Sequence, residues 1–173
     1  GTEMDSVRNV MIESSRISRG SITDLASLDA SKYDGLIIPG GFGAAKNLST
    51  FATEGADMNV DEDVKNAILN FRAADKPIGL CCIAPTIVAA VLGGNGVEVT
   101  LGQSKGDAKH WPYSGAAGAC EVLGAKHFDK DVNDVHVDFK MKVVTSPAYM
   151  YNGSPIEIHN SVGNMVNKVL EMC

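Results

Sequence analysis

Two short apolar runs constrain this chain most. Gly35-Leu36-Ile37-Ile38 is uncharged and unbroken until Pro39-Gly40-Gly41 stops it, and the run of Lys76 to Pro85 (KPIGLCCIAP) repeats the pattern and ends in two adjacent cysteines. A strand without polar alternation must be covered on both faces, as in a parallel sheet flanked by helices. The intervening segments supply helices. Residues 60–76 place Val64, Ala67, Ile68 and Phe71 on one face, behind an acidic first turn that suits the helix dipole. Residues 85–94 begin at a proline and stop at glycines, and residues 114–125 form a small-residue helix. A loose helical stripe of Val7, Val10, Met11 and Ile17 ends at Gly20. Val97 to Leu101 reads as a third strand and residues 135–146 as a hairpin or two short strands. Ile156 to Glu171 reads as a closing helix with Ile158, Val162, Val166, Val169 and Leu170 inward. Strands alternating with helices predict an α/β fold with a mostly parallel sheet, whose site lies beyond the carboxyl ends of the strands.

With 173 residues the chain can bury a real core. No run of about 18 apolar residues offers a membrane span. A net charge of −6 and singly scattered basic residues argue against a nucleic-acid partner. The four cysteines contain no C-x-x-C pair, so neither a metal site nor a disulfide framework is expected, and a reducing compartment is the default. The opening GTEMDSVRNV carries no initiator methionine and no signal or transit pattern, so the chain is expected to start partway into its protein.

The paired cysteines raise the chemical question. Neighbouring strand residues point to opposite faces, so Cys81 and Cys82 do not share a site. Cys81 falls within the strand and is expected to be buried. Cys82 falls at the strand-to-helix turn, where a nucleophile elbow sits. The N–H groups of the following helix should stabilise a thiolate there and lower its pKa. The Ile83 N–H is a candidate oxyanion donor. Gly40 and Gly41, lacking side chains, can bring a second donor close to a reacting carbonyl. The plain alternative is that both cysteines are packing.

The segments PGGFGAAKNLS and KPIGLCCIAP, together with KHWPY, GAKH and VVTSPAYM, resemble the class I glutamine amidotransferase-like superfamily that includes the Parkinsonism-associated deglycase. Within it the chain is most similar to the ElbB-like subfamily of bacteria and its mitochondrial animal relatives. That resemblance implies a flavodoxin-like three-layer sandwich, with residues 1–173 forming one domain that lacks the family's first βαβ portion and the glutamate it carries. It implies a homodimer in the mitochondrion, without cofactor or metal. It makes Cys82 the nucleophile, Gly41 and Ile83 the oxyanion donors, and His127 the nearby histidine. Two patterns depart from relatives. Ile83 stands where protease-like members carry a histidine, and the only late pair resembling a glutaminase dyad is His136-Val137-Asp138.

The implied activity is that of a glyoxalase or deglycase acting on a small aldehyde or dicarbonyl through the Cys82 thiolate. Gly40, Lys46 and Asn47 are the candidate substrate-binding residues, against plain solvent exposure for the last two. The rival readings are a redox-sensing cysteine and a structural homodimer with a vestigial site. His110-Trp111-Pro112-Tyr113 reads as a lid, an interface loop or a locally packed surface loop. Cys120 and Cys173 carry no expected role, and His159 on the closing helix reads as structural.

Overall fold

The computed structural model describes residues 7–173, so the opening stretch 1–6 lies outside the described residues. Helix α1 (Val10–Ile17) comes first, then strand β1 (Leu36–Ile38), short helices α2 (Phe42–Lys46) and α3 (Phe51–Glu54), and helix α4 (Glu62–Ala73). Strand β2 (Ile78–Cys81) leads into α5 (Pro85–Leu92). Next come β3 (Glu98–Val99), α6 (Gly115–Val122), β4 (Lys126–His127), β5 (His136–Asp138), β6 (Val143–Ser146) and the long α7 (Pro155–Met172).

The main sheet has the order β1-β2-β6-β5, parallel except for β5, which returns antiparallel to β6 as the expected hairpin. In β2 all four residues are buried. Ile78 and Leu80 face a core shared with Ile68 and Phe71 of α4 and Ile87 and Val88 of α5. Cys81 faces the other side, a cluster with Val144, Ile158, Met165 and Val169. The unbroken apolar run thus reflects helices on both faces. Gly79 lets α7 lie directly on the strand: a β-carbon there would sit 2.5 Å from Met165 Sδ and 2.7 Å from Val169 Cγ2.

α4 buries Val64, Ala67, Ile68 and Phe71, the face its periodicity predicts, and Asp61 caps it by accepting the N–H groups of Asp63 and Val64. In α7 the stripe is shifted. Ile158, Ser161, Met165 and Val169 are buried, Val162 and Val166 flank them, and Leu170 is exposed. Leu170 lies about 100° around the helix from Val169 and so leaves the sheet-facing stripe.

The expectation of a third strand over Val97–Leu101 needs correction. Only Glu98 and Val99 pair, and they pair with β4 in a separate two-stranded sheet. The reason is visible in the hydrogen bonds. The N–H groups of Glu98, Thr100 and Leu101 donate to side chains, namely Asp138 at 2.9 Å, Thr145 at 2.8 Å and His127 at 3.0 Å. Side-chain acceptors replace a ladder, so the segment is buried yet only briefly a strand. No described residue of α1 is buried, although Asn9 caps it by accepting the Ile12 N–H.

Replacing Gly79 with alanine is expected to cost about 1–3 kcal/mol, the usual penalty of overpacking a filled core. A urea titration of the variant against the parent reads this as a lowered midpoint at unchanged slope.

Candidate active site

β2 ends at Cys81, and the chain turns into α5 through Cys82, Ile83 and Ala84, with Pro85 as the first helical residue. Cys82 takes φ +60°, a left-handed conformation rare for a residue with a β-carbon. Its N–H donates to the Ser146 carbonyl at 3.1 Å, and the Ala84 N–H donates to the Cys81 carbonyl at 3.2 Å, so the turn is tied at both ends. Gly40 passes immediately beneath it. A β-carbon on Gly40 would lie 2.7 Å from the Cys81 carbonyl oxygen and 2.8 Å from both Cys82 Cβ and Ile83 N. No flexible group is present to yield, so only glycine fits. Gly41 follows at φ +89° and turns its N–H toward the elbow.

Three backbone N–H groups, those of Gly41, Ile83 and Tyr149, face the Cys82 sulfur closely enough to pull its pKa down. Met150 Sδ lies 4.0 Å from it. Burial nevertheless dominates and pushes the Cys82 thiol above its ordinary 9.0, with the three N–H groups pulling against it. The expectation of a lowered pKa is therefore corrected: the desolvation of the charged form outweighs the turn. Cys81, buried among the α7-side residues, is also raised, chiefly by burial.

Cys82 opens into a cavity of about 720 Å³. Phe42, Phe51, Ile83, Tyr113, Tyr149 and Met150 contribute to its wall, and no charged side chain does so among the described residues. Pro112 and Tyr113, from the loop of His110-Trp111-Pro112-Tyr113, line one side. Trp111 is buried, packs on Tyr151 at 4.9 Å between ring centres, and lies against Gly102 and Gly106, where β-carbons would collide with its indole. That anchor holds Pro112 and Tyr113 on the cavity. The sequence signals this loop through its aromatic residues. Tyr149 was missed, because nothing in SPAYM announces the turn that aims its N–H.

The structure brings Gly40, Gly41 and Ile83 to Cys82 and leaves the other candidates elsewhere. Lys46 and Asn47 are exposed and do not line the cavity; Lys46 Nζ instead sits 5.9 Å from the centre of the Phe42 ring. His127 does not line it either. Its side chain is almost wholly buried on β4, Nε2 accepts the Leu101 N–H, and Nδ1 faces Asp129 at 3.6 Å. The ring holds backbone in place. His136 and Asp138 form no dyad: His136 stacks on Phe128 and meets Glu98 at 3.2 Å, while Asp138 accepts the N–H groups of Glu98 and Met141.

The sheet thus ends in a strained cysteine turn with a glycine loop beneath it, and proteins already known resemble this chain. A human glutamine amidotransferase-like class 1 domain-containing protein 3, mitochondrial, is 54% identical over 165 residues, covering 95% of this chain and 61% of the relative. The rat mitochondrial ES1 protein homolog is 53% identical with the same coverage. A crystal structure from Ehrlichia chaffeensis, of an isoprenoid biosynthesis protein with an amidotransferase-like domain, superposes with a TM-score of 0.84 at 30% identity, over 98% of this chain and 73% of that one. No family model matches. The chain belongs to the amidotransferase-like family, with the flavodoxin-like fold, and the two mammalian relatives it resembles are named as mitochondrial proteins. It spans 61% of the length of either of them.

Two measurements follow. Burial holds the folded pKa of His127 below its ordinary 6.5, with Asp129 acting against this. Between those two values the unfolded chain binds the extra proton, so stability is full above pH 6.5 and falls as pH drops toward the folded pKa. His127→Gln should flatten that slope in denaturant titrations across this range. Site-resolved alkylation should show Cys82 reacting faster than Cys81, with a rate still climbing at pH 9, because its thiol is raised above 9.0 and yet faces an open cavity.

Proposed function

We propose that this chain performs cofactor-independent glyoxalase- or deglycase-type chemistry on small neutral dicarbonyls, with Cys82 as nucleophile. The observation that carries this is a cysteine in a strained turn, with three backbone N–H groups facing its sulfur, at the mouth of an uncharged cavity. Sulfur adds to the aldehyde carbon of a 2-oxoaldehyde, and the thiol proton ends on the former carbonyl oxygen, giving a hemithioacetal. As the carbon–sulfur bond forms, negative charge moves from sulfur to that oxygen. The donors beside the sulfur are the nearest groups to receive it. A 1,2-proton shift through an enediolate then gives a thioester, and water cleaves it to a 2-hydroxy acid and the free thiol.

The cavity wall offers no cation to hold a carboxylate, which favours neutral substrates over amino acids such as glutamine. Among the described residues it offers no carboxylate or imidazole base either. The steps supported by this chain's own groups are thus addition and charge stabilisation. A peroxide sensor needs the same thiolate; the large uncharged cavity at the sulfur is what favours a carbon substrate over it.

The test is methylglyoxal incubated with the parent protein and with Cys82→Ser. The parent should produce hydroxy acid, and methylglyoxal should shield Cys82 from alkylation; the variant should produce no more than buffer does. Hydroxy acid formed equally by both would end the proposal.

A further inference from the structure

The donor from Tyr149 rests on strained backbone that no glycine relieves. After β6 the chain turns through Pro147 and Ala148. Ala148 adopts φ +45°, disfavoured for any residue with a β-carbon, and it is buried. The turn is closed by N–H donation from Met150 to the Pro147 carbonyl at 3.0 Å and from Tyr151 to the Ala148 carbonyl at 3.1 Å. Strain of this kind persists only where the surroundings enforce it.

The enforcing group comes from α7. Ser161 is completely buried on the sheet-facing stripe, between Ile158 and Met165, where the pattern otherwise calls for an apolar residue. Its Oγ accepts the Ala148 N–H at 3.1 Å. The next residue, Tyr149, lines the same cavity as Cys82, Met150 after it places its Sδ 4.0 Å from the Cys82 sulfur, and the Tyr149 N–H faces that sulfur. If Ala148 relaxed to a right-handed or extended conformation, the peptide between Ala148 and Tyr149 would rotate. The Tyr149 N–H would then leave the sulfur.

We propose that Ser161 is a positioning residue for the cysteine site: its hydroxyl pins Ala148 in the left-handed conformation and thereby holds the Tyr149 N–H on Cys82 as a third donor. The inference rests on the reading of Cys82 as a nucleophile only for its bearing on turnover, since the pinning itself concerns the thiol. It also accounts for a hydroxyl on an otherwise apolar helix face.

The experiment is iodoacetamide alkylation of Cys82 across pH 6 to 10 in the full chain, resolved by peptide mass spectrometry. Ser161→Ala should slow the reaction at pH 7 by roughly tenfold or more, the scale of one hydrogen bond to a charged group, with the whole rise of rate with pH displaced to higher pH. Adding Ala148→Gly to that variant should return the profile to the parent's, because glycine takes positive φ unaided. A profile that stays put while thermal stability falls would overturn the proposal, as would failure of Ala148→Gly to restore it. Should Ser161→Ala not fold, Ser161→Cys keeps nearly the same volume with a weaker acceptor. It must displace the profile in the same direction, and an unmoved profile overturns the idea. Methylglyoxal turnover is measured in parallel. A displaced profile without turnover in any form retains the positioning role and removes the glyoxalase reading. Turnover with an unmoved profile does the reverse.

Discussion

The passage of Gly40 beneath the Cys82 turn is the contact on which the upper end of the sheet depends. β1 and β2 run side by side, and the loop leaving β1 can reach the start of α5 only because Gly40 presents a bare α-carbon to three atoms of the neighbouring turn. That closeness lets Gly41 direct its N–H to the same sulfur that receives the Ile83 N–H. The turn is seated from below as well. β2 is packed by α4 and α5 on one face and α7 on the other, so the strained residue stands at the end of a fully buried strand.

Electrostatically the site is a contest between burial and backbone dipoles. Three N–H groups pull the Cys82 pKa down, yet desolvation outweighs them and holds it above its ordinary value. An elbow of this design differs from one that stores a ready thiolate. Its donors act most strongly once negative charge appears next to them, which is the condition for lowering a barrier rather than a ground state. The uncharged wall of the cavity adds to this, because hydrogen bonds strengthen where water and competing ions are scarce.

The residues differed in how much they revealed. The inward face of α4, the buried β2 and the turn at Cys82 follow from local periodicity and punctuation, and sequence reading placed all three. Val97–Leu101 looked like a strand because it is buried and apolar at alternate positions. Three of its N–H groups donate instead to side chains of residues 127, 138 and 145, far away in sequence. His127 was misread for the same reason: resemblance by position could not show that its ring is committed to the Leu101 N–H. The Tyr149 donor left no trace, because an alanine rather than a glycine occupies the left-handed position before it. Leu170 failed by a single helical step.

Trp111 is the chain's one tryptophan, and it is wedged between two glycines with Tyr151 at its edge. Its loop continues directly into Pro112 and Tyr113 on the cavity wall. The molecule therefore carries a built-in optical label at the rim of its own site. The indole fluorescence of the unmodified protein has a single origin, and any rearrangement of that rim changes the surroundings of the one fluorophore that produces it.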